Sequence, residues 1–316
     1  MDNHELFSTL IRLAIDGREN EAIALSLSGK RLWPAPARRL LAKAQSSPLS
    51  MPGDDGEAAL GCALRHGREA LARSLIDQGA DLSGRDHMGF SMAESAARNG
   101  LAGALGDILA EYGSKARRLC GDALLLAQGA DCVRALAGAG IDIEACDAEG
   151  KTPLIRACER GDASAARALA SLGAKTQTTD KQGRSPLIAA CQNAHSDCAL
   201  LFAKEPLEDS PDAHGMSALM WCARLGLSEL AAALIEAGSN PNAAYPKSGG
   251  MGALFFSCMG GKYSCAKALL DAGADPNFKD SAGRSPSMIA ASSGHDKICA
   301  LLAEGGAAAH VNQAGR

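Results

Sequence analysis

The sequence predicts an all-α solenoid, built from stacked helix-turn-helix units with short finger turns between them. Three observations predict it. The segment Asp147-Ala-Glu-Gly150-Lys-Thr-Pro-Leu154 recurs as Asp180-Lys-Gln-Gly183-Arg-Ser-Pro-Leu187. It recurs again as Asp212-Ala-His-Gly215-Met-Ser-Ala-Leu219 and as Asp280-Ser-Ala-Gly283-Arg-Ser-Pro-Ser287, in steps of 33, 32 and 68 residues. The last step is two periods, and a fixed period of this length marks a repeat architecture. A pair of glycines twelve residues apart recurs in fixed phase with that segment: Gly161 and Gly173, Gly226 and Gly238, Gly261 and Gly273, Gly294 and Gly306. The composition agrees. The 316 residues include 35 Gly and are 47% hydrophobic, yet only 3% aromatic. Small and aliphatic side chains must therefore bury the apolar surface, between frequent turns.

The elements follow in chain order. Leu10 to Gly29 fits a degenerate first unit, with Gly17 and Gly29 at the same twelve-residue interval. Trp33-Pro34-Ala-Pro36 breaks that hairpin, Arg38 to Gln45 reads as an extra helix, and Ser46 to Gly53 reads as a loop. Residues 1–52 are thus expected to form an N-terminal helical cap with a degenerate first repeat, because terminal repeats need one polar outer face. Residues 53–316 are expected to form the repeat stack. Within a unit, Thr152-Pro153, Ser185-Pro186 and Ser285-Pro286 set an N-cap hydroxyl before a proline at the first helical position, where its missing N–H costs nothing. The first helix is short and apolar on one face, as in Leu187, Ile188, Ala190 and Cys191, and glycine ends it with a left-handed turn. A second helix follows, as in Glu229 to Ile235, and Asp or Asn with Gly builds the turn into the next unit. Two short helices cannot bury both faces alone, so stacking completes the core. Two irregularities are expected: the insert Lys204 to Ser210, with Pro206 and Pro211, and a second irregular finger at Tyr245-Pro246-Lys-Ser-Gly-Gly250.

These residues resemble the ankyrin repeat. That family reads Asp-x-x-Gly-x-Thr-Pro-Leu-His-x-Ala-Ala, then Gly-His, then an aliphatic helix ending in Gly-Ala-Asp-x-Asn. Gly273-Ala-Asp275-Pro-Asn277 and Gly238-Ser-Asn-Pro-Asn242 match the ending, and Gly79-Ala-Asp81 and Gly140-Ile-Asp142 match part of it. The resemblance is clearest from 145 to 312. It is traceable earlier, where Asp86 to Gly89 opens one unit and the unit ending at Gly140 lacks a clear start. It implies about eight to nine units. Ile155, Ile188, Met220, Phe255 and Met288 stand where the family has the His of Pro-Leu-His, so the links that His makes between turns are not expected here.

Charge and cysteine usage exclude several functions. Lys and Arg total 32 against 36 Asp and Glu, a formal net charge of −4, which gives no global reason to expect nucleic acid or an anionic membrane. The 11 cysteines are odd in number and include no C-x-x-C pair, which argues for a reducing compartment rather than a disulfide framework. Met1 to Ser8 carries Asp2 and Glu5 with no basic or apolar leader, so a cytoplasmic location is expected, with secretion as an effector left open. The stretch from Met251 to Gly260 is too short and glycine-rich for a membrane span. Eight cysteines fall at small apolar positions of the repeat: Cys62, Cys158, Cys191, Cys198, Cys222, Cys258, Cys265 and Cys299. Cys191, His195 and Cys198 have ligand-like spacing, so a metal- or ligand-binding protein or an enzyme with its site there is the alternative reading. Both cysteines hold core positions, however, His195 stands at the family's Gly-His position, and a zinc site would need a fourth ligand. No nucleophile elbow, P-loop or two-His helix pattern is present. Gly249-Gly250-Met-Gly252 and Gly260-Gly261-Lys262 lack the strand and helix that a phosphate loop needs. A non-enzymatic chain without cofactor or catalytic residues is expected.

The resemblance instead implies a protein partner on the concave face, formed by the finger tips and the inner helix ends. Carried onto this sequence, that face comprises Lys151, Glu149, Glu159 and Arg160; Lys181, Gln182, Arg184, Gln192 and Asn193; His214, Met216, Arg224 and Leu225; Met251 and Met259; and Arg284, Ser292 and Ser293. Earlier units add Glu57, Arg65, His66, His87, Met88, Phe90, Arg98 and Asn99. Eight of these are Lys or Arg and three are Glu, so a basic groove is expected on an acidic chain, steering an acidic partner. Met216, Met251, Met259 and Leu225 would give an apolar anchor. The rest of the run Met216, Met220, Trp221, Met251, Phe255, Phe256, Met259 and Tyr263 reads as thicker core. The basic residues are not interleaved with stacking aromatics, which argues against nucleic acid. The Ala-, Gly- and Arg-rich usage suits a GC-rich bacterium. A host-directed effector or a toxin-neutralising, immunity-type inhibitor is then the setting to consider, and the oligomeric state stays unknown.

Overall fold

The computed structural model describes residues 59–120, 122–203 and 210–304, with a few residues between 9 and 23. Most of the cap expected over 1–52, Glu57, and residues 204–209 of the insert lie outside the described residues. The chain divides into two compact units, Met1–Asp147 and Ala148–Arg316.

The first unit contains three helix pairs among its described residues. Helix α1 (Ala59–Arg65) pairs with α2 (Glu69–Asp77), and α3 (Met92–Arg98) with α4 (Ala102–Tyr112). Ser91 and Glu94 close a capping box on α3, each side chain bonding the other's backbone N–H. Helix α5 (Ala116–Leu119) then precedes the pair α6 (Ala123–Leu126) and α7 (Gly129–Gly138). A 3-10 turn at Gly113–Lys115 and α5 stand where a finger would stand, and α6 is only four residues long. That is the physical reason the unit ending at Gly140 has no recognisable start in the sequence.

The second unit is more regular. Its pairs are α8 (Pro153–Arg160) with α9 (Ala163–Ser171), α10 (Pro186–Gln192) with α11 (Ser196–Phe202), and α12 (Ala218–Leu225) with α13 (Ser228–Glu236). Helix α14 (Ala253–Met259) then pairs with α15 (Tyr263–Asp271), and α16 (Pro286–Ser292) with a helical stretch at 296–304. The caps follow the sequence. Thr152 Oγ1 accepts from the Ile155 N–H at 3.3 Å, Ser185 Oγ from Ile188 at 3.3 Å, Ser217 Oγ from Met220 at 3.4 Å and Ser285 Oγ from Met288 at 3.3 Å. Such a cap contributes about 1 kcal/mol. Gly252 replaces the capping hydroxyl at α14, since a Cβ there would stand 2.9 Å from the Ala243 carbonyl oxygen.

Each regular finger is built around a buried aspartate. In the three fingers led by Asp180, Asp212 and Asp280, the carboxylate Oδ1 accepts the backbone N–H groups two and four residues on, at 2.8–3.0 Å. The glycine three residues on donates its own N–H back to the aspartate carbonyl at 2.9 Å. That glycine must adopt a left-handed conformation, φ +76° at Gly215, and a Cβ on Gly215 would stand 2.7 Å from the Ser248 nitrogen of the next finger. Neighbouring fingers are joined by backbone hydrogen bonds: Lys181 N–H to Glu149 O (3.0 Å), Ala213 N–H to Gln182 O (2.7 Å) and Ser281 N–H to Gly249 O (2.9 Å). Finger, helix and stacking thus share one geometry per unit, the arrangement a repeat stack requires.

The core is made of alanine, leucine and cysteine. Cys62, Cys158, Cys191, Cys198, Cys222, Cys258 and Cys265 are buried, Cys299 is half-buried, and none of the eleven cysteines is in a disulfide. The large aromatic Phe255 is buried in α14, edge-on to Phe278 with ring centres 6.2 Å apart. One turn departs from the pattern. Gly161, Gly226, Gly261 and Gly294 end their first helices with φ between +67° and +87°, but Ala194 holds that position with φ +59°. Among the described residues it is the single non-glycine with positive φ, a conformation that costs an L-residue roughly 1–2 kcal/mol.

Candidate partner-binding site

The predicted face separates into two places in the second unit. The first is an ion-pair network. Glu159, on the last turn of α8, receives Lys151 Nζ at 2.7 Å, Arg156 Nη1 at 3.3 Å and Arg184 Nη2 at 3.2 Å. Arg184 is itself buried. Its Nε and Nη2 lie 2.8 and 2.7 Å from Asp180 Oδ2, and its Nη1 donates to Gln192 Oε1 at 3.2 Å. The cause is local. The finger aspartate uses Oδ1 on the backbone, and an arginine four residues on folds back to satisfy Oδ2. Arg284 does the same with Asp280 at 2.7 Å, although its side chain stays half exposed. Burial pushes the Asp280 carboxyl up, but bonds from the Arg284 and Ala282 N–H groups and the Arg284 guanidinium outweigh it and hold the group below its ordinary range. Lys151 and Arg284 therefore neutralise carboxylates of their own repeats, and Arg184 neutralises Asp180 of its own repeat and Glu159 of the preceding one.

The second place is an open cavity of about 400 Å³. Five predicted residues line it: Gln192, His214, Met216, Arg224 and Met251. Four residues that sequence reasoning did not place in a site complete it: Trp221, Lys247, Ser248 and Phe256. The finger of Asp212 explains the assembly. It carries Met216 where the Asp180 and Asp280 fingers carry arginine, so Asp212 Oδ2 takes another donor, the indole Nε1–H of Trp221 at 3.0 Å. This bond fixes the ring as a wall of the cavity, which Met216 (4% exposed) and Phe256 (7%) also line. The Arg224 guanidinium lies 5.3 Å from the Trp221 ring centre, a cation–π contact that holds the charge at the rim.

Lys247 lines the same cavity from the next finger. It stands three residues before Gly250, at the place the finger aspartate occupies before Gly183, Gly215 and Gly283. With no aspartate, that finger is braced otherwise. Pro246–Ser248 forms a 3-10 turn, and the Ser248 hydroxyl lies 2.8 Å from Tyr245 O and 2.9 Å from Met251 O. A cation replaces an anion at a finger tip, a signal visible in the sequence as the missing aspartate. Among the described residues, no carboxylate lies within 4 Å of the charged nitrogens of Arg224, Lys247 or Lys181.

The remaining predicted residues lie outside this lining. Lys181 and Arg160 are exposed on neighbouring turns, and Asn193 bonds the Ala189 carbonyl at the end of α10. Leu225 and Met259 are exposed at the ends of α12 and α14. Among the described residues, Cys191, His195 and Cys198 are not grouped to hold a metal ion. Cys198 hydrogen-bonds Cys158, which with burial pushes the Cys158 thiol well up. The His195 ring occupies the space beside Gly161, 2.6 Å from where a Cβ would stand. Among the described residues, no three His, Cys, Asp or Glu side chains are grouped to hold a metal ion, and no helix is long and apolar enough to cross a membrane.

A family model described as ankyrin repeats (3 copies) matches residues 121–210, 172–245 and 244–314. No curated protein gives a significant match. The match covers the whole second unit's regular fingers and helix pairs, and it extends back over the last pair of the first unit. With finger, cap and helix pair recurring as described, the chain belongs to the ankyrin repeat family.

Proposed function

We propose that this chain is a non-enzymatic binding module. It captures an acidic, or mixed acidic and apolar, surface of another protein on the concave face formed by fingers and inner helix ends. Ankyrin repeats are in general protein–protein interaction modules. The observation that carries the finer reading is the cavity beside Trp221, apolar inside and edged by Arg224 and Lys247, neither of which has a carboxylate partner among the described residues. Unpaired surface cations around an apolar centre favour an acidic partner, speed its encounter and fix its register. Host-directed capture and neutralisation of a toxin are both settings for such a surface, and the composition is the support for a bacterial source.

The test is quantitative affinity capture with the full chain from a lysate of the source cell, comparing wild type with the Lys181→Glu/Arg224→Glu double variant. Both positions are exposed, so the fold should persist, which circular dichroism checks. An acidic protein enriched by wild type and lost from the double variant supports the reading. Equal recovery of every enriched protein by the two forms would refute it.

A further inference from the structure

We propose that the Trp221 cavity is an anchor site for a short acidic segment, taking one large apolar side chain into the cavity and a neighbouring carboxylate between Arg224 and Lys247. The inference rests on the protein-binding reading above and specifies the chemistry of what is bound.

Size comes first. At about 400 Å³ the cavity is near the lower end of small-molecule pockets, roughly 300–1,000 Å³. It suits one large side chain with the adjoining backbone, and anchors of this kind carry most of the energy of protein recognition. Polarity comes second. The interior is Met216, Met251, Phe256 and the indole edge, while Gln192, Arg224 and Lys247 stand around it, and no Asp or Glu lines it. The nearest carboxylate, Asp212, is 3% exposed, sits behind the indole and has both oxygens engaged, by the His214 and Met216 N–H groups and by Trp221. It therefore does not offer itself to an incoming cation. Gln192 Oε1 already accepts from Arg184, which turns its amide nitrogen toward donation, the polarity a peptide carbonyl requires.

Preorganisation comes third. Trp221 is held by its bond to Asp212 and by Arg224 over its face, and Met216 is held by its finger. Met251 and Lys247 contribute long unbranched side chains to the lining, and methionine adapts to the shape of an entering group. An RNA base is the competing occupant, since it too would meet an aromatic and two cations. The ring face is already covered by Arg224, however, and no second aromatic lies open beside it for a neighbouring base.

The experiment uses the full chain and a fluorescein-labelled peptide, acetyl-Ser-Asp-Glu-Leu-Asp-Glu-Ser-amide, read by anisotropy at low salt. Two companion peptides replace Leu with Ala, or every Asp and Glu with its amide. An oligouridylate of equal length is the nucleic-acid probe. Expected are saturable binding of the first peptide, at least tenfold weaker binding of both companions, and at least tenfold loss in the Lys247→Glu variant. Lys247 lies on an exposed finger, so that variant should keep the wild-type circular dichroism. Equal binding of the acidic and amide peptides, an unchanged affinity in Lys247→Glu, or tighter binding of the oligouridylate would each overturn the proposal. If the anchor fails while an acidic protein is still captured through Lys181 and Arg224, the protein-binding reading stands and only the anchor falls.

Discussion

The pair of buried Asp212 and half-buried Trp221 gives the sharpest test of how the site is held. The substitution is Asp212→Asn, which changes one atom of the side chain and none of its shape. The amide oxygen can still accept from His214 and Met216, at 2.9 and 3.0 Å in the native finger. The amide nitrogen then faces the Trp221 indole N–H across 3.0 Å, donor against donor. A hydrogen bond to a charged acceptor contributes about 1.5–3 kcal/mol, and a buried unsatisfied donor keeps its desolvation cost. A loss of about 2 kcal/mol is therefore expected, read as a lower urea midpoint by circular dichroism and tryptophan fluorescence. Trp221→Phe removes the facing donor, so in that background Asp212→Asn should cost about 1 kcal/mol less, a coupling typical of residues in contact. A loss under about 0.5 kcal/mol, or an equal loss in both backgrounds, would show that the indole bond does not hold the wall of the cavity.

Three further outcomes follow from the same structure. Replacing Ala194 with Gly relieves a left-handed alanine that costs roughly 1–2 kcal/mol, offset by about 0.4–1 kcal/mol of added unfolded-chain entropy. A gain of about 0.5–1 kcal/mol in urea unfolding is expected, and a loss would refute the account of that turn. With a thiol reagent under native conditions Cys146, the exposed cysteine, should react first, and the nine buried ones only on unfolding; a burst of several thiols at neutral pH would contradict the packing. Burial pushes the thiols of Cys120 and Cys265 up to about 11 and that of Cys258 up to about 12, against an ordinary 9.0. The folded state therefore keeps protons that the unfolded state loses, so their stability contribution is complete below pH 9 and declines as the pH rises toward 12. A thermal midpoint that did not fall across this window would contradict the burial of these groups; at the acid end, the lowered Asp280 carboxyl predicts loss of stability as pH drops below the ordinary carboxylate range.

The repeat was legible because its signals are local. Asp-x-x-Gly fixes the finger, Ser-Pro or Thr-Pro the helix start, and glycine the helix end, each within a few residues. The unit around α6 was not legible, since its finger is replaced by α5 and a 3-10 turn that follow no period. At the site, repeat phase brought Gln192, His214, Met216, Arg224 and Met251 to one cavity. It did not say where each charge points. An arginine after the finger glycine lies in groove phase, yet in Arg184 and Arg284 it turns back on its own aspartate, because that carboxylate has one oxygen to spare. Trp221 and Phe256 read as core because an aromatic at helical spacing has no marker that distinguishes wall from filling. Lys247 was missed because it stands in an insertion. The sign that could have found it was the missing aspartate three residues before Gly250.

The joints between fingers carry a consequence of another kind. Within the second unit three of the joints between fingers are made by backbone N–H and C=O groups: Lys181 to Glu149, Ala213 to Gln182, Ser281 to Gly249. Along that edge a joint asks nothing of a side chain beyond that the donor not be proline. A whole repeat can therefore be duplicated or deleted in register without rewriting its neighbours' fingers, provided the helix faces still match. Stack length and the identity of any one tip then vary independently over evolutionary time. In the finger of Lys247 the tip has changed while the joint to the following finger, Ser281 to Gly249, is kept, and the Ser248 N–H turns instead to Tyr245 O of its own finger.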